Sequence, residues 1–89
     1  MTTQQRLDFL LKHLDALAES QGDMVALSAQ DIALLMETCG FANRGEIGFY
    51  IAALAERRLV SENCSPDNAI LQASITIDGY CHLDTLRAA

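Results

Sequence analysis

The sequence predicts a small α+β domain with four helices and one β-hairpin. Four segments carry apolar residues at the spacing of a helix face, and a Ser-Pro-Asp-Asn turn separates two strand-like runs late in the chain. The 89 residues suffice for one domain, which we expect to span residues 1–89. Because apolar residues make up 51% of the chain, the composition excludes a disordered segment and permits a packed core.

The first helix is predicted over residues 3–20. Thr2 and Gln5 have the spacing of a capping box, and Gly22 supplies a helix end. Leucines repeat at helical spacing and predict the buried face. These are Leu7, Leu10, Leu11, Leu14 and Leu17. His13 is expected on the polar side. The acidic residues are interpreted as a solvated face. They are Asp8, Asp15 and Glu19.

The next elements are a brief strand within residues 24–27 and a second helix over residues 29–39. Ser28 and Asp31 can satisfy each other's free amides at the helix start. Gly40 can adopt the left-handed conformation that closes a helix.

The third helix is predicted over residues 44–57, with Asn43 as its cap. Its apolar residues repeat at helical spacing and are expected in the core: Ile47, Tyr50, Ile51 and Leu54. A hairpin follows over residues 59–75. Its turn lies at Ser65–Asn68, where proline fixes a central angle, and its return strand starts at Ala69.

The last helix is predicted over residues 77–87, after Thr76 as the cap. Asp78 in the first turn favours the positive end of the helix dipole. The residues expected to face the core are Ile77, Tyr80, Leu83 and Leu86.

Charge and targeting features restrict the partners. Six basic and twelve acidic residues give a net charge of −6, which repels phosphate and anionic membrane surfaces. The sequence contains neither a long apolar run nor a signal-peptide pattern, so we expect a cytoplasmic protein that does not bind membranes. Three widely spaced cysteines do not predict a disulfide framework and are expected to be reduced.

The sequence offers little for catalysis. Neighbouring Cys81 and His82 point about 100° apart on a helix and do not predict a thiolate–imidazole pair. Cys39, Cys64, Cys81 and His82 supply enough ligands for zinc but lack the close cysteine spacing of zinc sites. The glycines match no phosphate-binding loop. We therefore predict no catalytic residue, metal, cofactor or small-molecule substrate, and no enzyme.

Two segments are similar to those of a known family. Leu54-Ala55-Glu56-Arg57-Arg58-Leu59-Val60 resembles a recognition helix entering a wing strand, and Ile75-Thr76-Ile77-Asp78-Gly79-Tyr80 resembles the step into a C-terminal helix. With the order of elements, they make the chain between Arg6 and Leu86 resemble the winged helix-turn-helix family. Arg58 stands where family members usually carry glycine. The resemblance implies a three-helix core, a β-hairpin wing and a C-terminal helix.

The resemblance also implies DNA binding, with the third helix in the major groove. It directs Asn43, Arg44, Gly45, Glu46, Phe49, Ala52 and Ala53 toward bases and the Ser65–Asn68 turn over phosphates. The polar and basic residues that could contact DNA in this alternative are Asn43, Arg44, Arg57 and Arg58. Arg44 can equally be an exposed helix-start residue, and Arg57 and Arg58 a solvated helix end.

The charges favour another function. The predicted wing carries Glu62 and Asp67 and no basic residue, although phosphate contacts normally need donors. The residues predicted to bind a partner lie on the outer face of the third helix: Phe49, Ala52, Ala53 and Glu56. The strip of Phe49, Ala52 and Ala53 suits the apolar surface of another protein. An alternative is that Phe49 packs under the wing or against the first helix.

We therefore predict a non-enzymatic interaction module that binds a protein partner or itself, a homodimer being the simplest form. The alternative is a DNA-binding transcriptional regulator. Phe49→Glu should break a protein assembly, whereas Arg44→Ala should weaken a DNA complex.

Overall fold

The computed structural model describes residues 1–88, which form four helices and a three-stranded antiparallel sheet. The elements in chain order are α1 (Thr3–Gln21), β1 (Val25–Ala26), α2 (Ala29–Cys39), α3 (Arg44–Glu56), β2 (Val60–Glu62), β3 (Gln72–Ile75) and α4 (Ile77–Ala88). This order agrees with the predicted α+β class. Ala89, which the predicted domain includes, lies outside the described residues.

Short polar side chains start the first three helices. Thr2 and Gln5 exchange hydrogen bonds with each other's backbone amides at the start of α1. Ser28 and Asp31 do the same at the start of α2. The Asn43 carboxamide oxygen accepts from the Glu46 amide and caps α3 at 3.0 Å. Each bond satisfies an amide that has no partner within its own helix.

The sheet order is β1-β3-β2, so the two hairpin strands are neighbours and β1 pairs with the far side of β3. Val60 is opposite Ile75, and Glu62 is opposite Ala73. We call β2, β3 and the residues between them the wing.

The return strand of the wing begins at Gln72 rather than at Ala69 as predicted. The Asp67 carboxylate accepts from the Ser65 hydroxyl at 2.7 Å and the Ala69 amide at 3.1 Å, so these residues form a compact turn before the strand. Leu71, Ala73 and Ile75 nevertheless face the core, as the alternation predicts.

The core lies between α1, the other helices and the inner face of the sheet. Its fully buried side chains are mainly leucine and isoleucine: Leu7, Leu10, Leu11, Leu14, Leu35, Ile47, Ile51, Leu54, Leu71 and Leu83, with Val25. Burying each contributes about 1.5–3 kcal/mol to folding, which makes this cluster the main stabilising element.

The core face of α4 differs from the predicted one. Ile77 is 82% exposed and Tyr80 42% exposed, whereas Gly79 and Leu83 are buried. A β-carbon on Gly79 would lie 2.1 Å from the Leu59 carbonyl oxygen, so only glycine permits this approach. The close contact between Gly79 and Leu59 turns the side of α4 that carries Gly79 toward the core, and Ile77 therefore points toward solvent.

Thr76 fixes the start of α4 against the end of α3. Its hydroxyl donates to the Arg58 carbonyl at 2.6 Å and accepts from the Gly79 amide at 3.0 Å. Because one side chain bonds both segments, the helix cannot rotate freely about its axis.

The interpretation of Asp8 and Asp15 as part of a solvated face is wrong. His82 Nε2 on α4 lies 3.1 Å from Asp8 Oδ1, and the Arg87 guanidinium pairs with Asp15. Polar contacts therefore join the first and last helices.

His13 likewise lies half-buried, with Nε2 3.1 Å from Asp31 Oδ1 at the start of α2, and not on an open polar surface. Only Glu19, of the acidic residues assigned to the face of the first helix, stays exposed.

Candidate interaction surface between α3 and the wing

An open groove of about 530 Å³ separates α3 from the wing. Its lining combines small, apolar and amide-bearing residues: Gly45, Gly48, Phe49, Ala52, Glu62, Asn63, Cys64, Ser65, Pro66 and Asn68. We call it the α3–wing groove. Its two sides are the part of α3 predicted to face a partner and the wing turn.

Phe49 is 71% exposed at the edge of this groove. Because Ile47, Ile51 and Leu54 occupy the inward face of α3, helical spacing directs position 49 outward. The Phe49 ring meets the Tyr50 ring edge-on, with centroids 6.1 Å apart. The alternative that Phe49 packs under the wing or against α1 is therefore wrong.

The other predicted partner-facing residues lie at different depths. Ala52 is half-buried and lines the groove. Ala53 packs against the core cluster, and Glu56 is exposed at the end of α3. The groove thus brings together Phe49 and Ala52, but not the other two.

Asn68 closes one end of the groove, a role that the sequence analysis missed. It has a left-handed backbone, with φ of 59°, which asparagine tolerates better than most residues. A β-carbon on Gly48 would lie 2.4 Å from Asn68 Oδ1, so the wing touches α3 at this point. The signal in the sequence is a glycine inside an otherwise regular helix.

Within the described residues, Glu62 is the only charged residue that lines the groove. Glu62 lies two residues after Val60 and therefore on the same side of β2, because side chains alternate along a strand. Unlike Val60, it is exposed. At the tip, the hydrogen bond from the Ser65 hydroxyl, together with the Ala69 amide, lowers the pKa of Asp67 and keeps it ionised. The groove and the wing turn thus carry two carboxylates, and Arg44 lies close enough to the turn to help lower the pKa of Asp67.

The four DNA-binding candidates do not form one surface. Arg44 donates to the Ala69 carbonyl at 3.2 Å, and the Asn43 side chain is used in capping. At the other end of α3, Arg57 donates to the Gln4 side chain at 2.8 Å, and Arg58 is exposed. Arg57 follows Arg44 by thirteen positions along the helix, a rise of about 20 Å.

The cysteines give no sign of a shared site. Cys39 is buried, Cys64 half-buried and Cys81 exposed, and burial raises the pKa of the first two thiols. Between residues 1 and 88, no three His, Cys, Asp or Glu side chains are grouped to hold a metal ion. None of the helices in this range has the length and apolar character to cross a membrane.

A helix-turn-helix pair, a third helix against a β-hairpin and a closing helix define the winged-helix fold, and this chain has it. A solved structure with the same fold is "F93 from STIV, a winged-helix DNA-binding protein". The match has a TM-score of 0.55 and 13% identity, and it covers 93% of this chain and 86% of that one. No family model and no curated protein sequence matches this chain.

Proposed function

We propose that this chain is a non-enzymatic, cytoplasmic winged-helix interaction module that docks a protein partner in the α3–wing groove. The exposure of Phe49 carries the proposal. An aromatic ring beside small residues gives a partner a close, largely apolar contact, and covering it contributes up to about 1.5–3 kcal/mol.

The charge of the groove supports a protein partner over DNA. Glu62 lines the groove, Asp67 lies in the wing turn that the winged-helix resemblance places over phosphates, and the net charge of −6 opposes approach to DNA. The arginines at the two ends of α3 are about 20 Å apart and bond to the chain's own atoms, apart from Arg58.

DNA binding stays the second candidate because F93 from STIV is described as a DNA-binding protein. In that case Asn43 and Arg44 would approach the DNA at the start of α3, and Arg57 and Arg58 at its end. A dimer would be needed to bring enough arginines to one duplex.

The first experiment selects binding peptides from a random 12-residue library displayed on phage, with the whole chain as bait. Parallel selections use Phe49→Glu and, as a matched control, Leu34→Glu, which changes a 46% exposed leucine on α2. We expect peptides that bind the unchanged chain and the Leu34 variant but not the Phe49 variant. Peptides that ignore the Phe49 change would refute groove docking.

The second experiment tests DNA directly. Sedimentation velocity with mixed-sequence duplex at low salt detects weak phosphate binding. We expect the duplex to sediment as free DNA. Co-sedimentation that fades as salt rises and weakens in Arg44→Ala would replace the proposed function with the DNA-binding one.

A further inference from the structure

Arg58 has an unusual backbone and an unused side chain. Its φ of 63° is left-handed, a conformation that glycine adopts freely and arginine only at a cost. The end of α3 imposes this conformation, because the Leu59 amide donates to the Leu54 carbonyl and the Arg58 amide to the Ala55 carbonyl, a pattern that closes a helix through one left-handed residue. A non-glycine residue held in such a position is a reason to look for a role of its side chain.

The Arg58 side chain is exposed and has no hydrogen-bonding or ionic partner among residues 1–88. Every other arginine has one. Arg6 contacts Tyr50 and Glu46, Arg44 the Ala69 carbonyl, Arg57 Gln4, and Arg87 Asp15 and Asp84. Arg58 is therefore the arginine available for another molecule.

The α3–wing groove has the complementary chemistry. Glu62 supplies a carboxylate that can accept two parallel bonds from a guanidinium, and the exposed Phe49 ring offers a face on which a guanidinium can stack. In the described part of the chain, no lysine or arginine lines the groove to satisfy Glu62. Arginine suits this pair of contacts better than lysine does because its head is planar and forked.

The same chain does not bring Arg58 to its own groove. Arg58 does not line the groove, its position is at most about 13 Å from that of Glu62, four residues later, and no ion pair joins the two side chains within residues 1–88. A guanidinium that pairs with Glu62 therefore belongs to another molecule.

We infer that Arg58 of a second copy of this chain enters the α3–wing groove, so that two copies form a symmetric dimer with two identical Arg58–Glu62 contacts. The inference rests on the proposed function, since it names the occupant of that docking surface. A two-fold axis between Arg58 and the groove makes each arginine reach the other copy. Two chains of charge −6 repel each other, so a local pair of opposite charges fixes how they meet.

Sedimentation equilibrium of the full chain tests the inference through two charge reversals. Arg58→Glu and Glu62→Arg should each weaken dimerisation by about tenfold, because each replaces two attractive contacts by repulsive ones. The two variants change the net charge in opposite directions, so general repulsion cannot explain a loss in both. Lys12→Glu and Glu37→Arg make the same charge changes at exposed positions outside the groove and should have little effect.

Mixing the two charge-reversed variants tests directly whether position 58 of one chain meets position 62 of the other. In a mixed dimer the glutamate introduced at position 58 of one chain meets the arginine introduced at position 62 of the other. The second contact pairs the native Arg58 with the native Glu62, so both contacts are attractive again. The mixture should dimerise to within about threefold of the unchanged chain. Arg58→Gly should also lose dimerisation while keeping its fold, because glycine suits the backbone.

The outcomes separate the inference from the proposed function. A monomeric chain that still selects Phe49-dependent peptides would overturn the second-copy inference and leave protein docking intact. A dimer that neither reversal weakens, or a mixture that does not recover, would overturn it as well. A dimer that also ignores Phe49→Glu, together with peptides that ignore it, would overturn both.

Discussion

The substitution Gly48→Ala should have two opposing effects on stability: alanine favours the helix, but its β-carbon collides with the wing. Gly48 lies inside α3, where replacing glycine with alanine favours the helix by about 1 kcal/mol. The new β-carbon would lie 2.4 Å from Asn68 Oδ1, whereas carbon and oxygen atoms in contact stay about 3.3 Å apart. Asn68 must therefore move by about 1 Å, which strains the wing tip or rotates its side chain.

A double-mutant cycle isolates this collision. Asn68→Gly removes the side chain and keeps the left-handed backbone, whose φ is 59°. In that background Gly48→Ala should stabilise the fold by about 1 kcal/mol, since the next neighbour, Leu71 Cδ2, lies at an ordinary 3.4 Å. In the unchanged chain the gain should vanish, which gives a coupling energy of about 1 kcal/mol.

Urea unfolding of the four chains measures the cycle, with the midpoint and slope followed together. Peptide binding by Gly48→Ala reports whether moving Asn68 also alters the groove. An equal gain in both backgrounds would refute the reasoning, because it would mean that Asn68 does not rest on α3.

Three further predictions follow from single positions. Arg58→Gly should raise the free energy of unfolding by up to about 1 kcal/mol because it relieves the left-handed backbone; a lower melting temperature would contradict this. Gly79→Ala should cost about 2–3 kcal/mol in urea unfolding, since its β-carbon meets the fixed Leu59 carbonyl at 2.1 Å and neither backbone can yield locally; an unchanged midpoint would count against the close approach. At Asp31, burial raises the pKa, but bonds from Ser28 and His13 outweigh it and the net pKa lies below the ordinary 3.8. A lowered pKa contributes stability above the unfolded value that is lost as pH falls through the folded one, so the deficit of Asp31→Asn in unfolding experiments should be constant near neutral pH and shrink below about pH 4. A deficit that persists at pH 2 would exclude this linkage.

Local chemistry explains why much of the fold was predictable. The helix starts at Thr2, Ser28 and Asn43 depend on residues three positions apart, and the order of elements follows from short-range patterns. The resemblance to winged-helix proteins added the topology of the wing, which the sheet order confirms.

The errors arose where distant segments decide the outcome. Helical spacing in α4 fits several inward faces, and the backbone contact between Gly79 and Leu59 selects one that exposes Ile77. Asp8 looked solvated because its partner His82 is 74 residues away. Sequence spacing carries no information about such pairs.

The candidate site was predictable in part. Phe49 and Ala52 follow from the helical wheel, because the buried stripe of α3 leaves one face outside. The role of Asn68 depends on how the wing turn folds back, and the availability of Arg58 depends on the partners of the other arginines. Both are properties of the folded chain.

The contacts between α1 and α4 determine when the chain can finish folding during synthesis. At about 5–20 residues per second, roughly 4–15 s pass between the synthesis of Asp8 and that of His82. Leu83, which completes the core, is made just as late. For that interval the part of α1 under α4 is uncovered, so a nascent chain presents leucine side chains to chaperones and to other nascent chains before its own last helix reaches them.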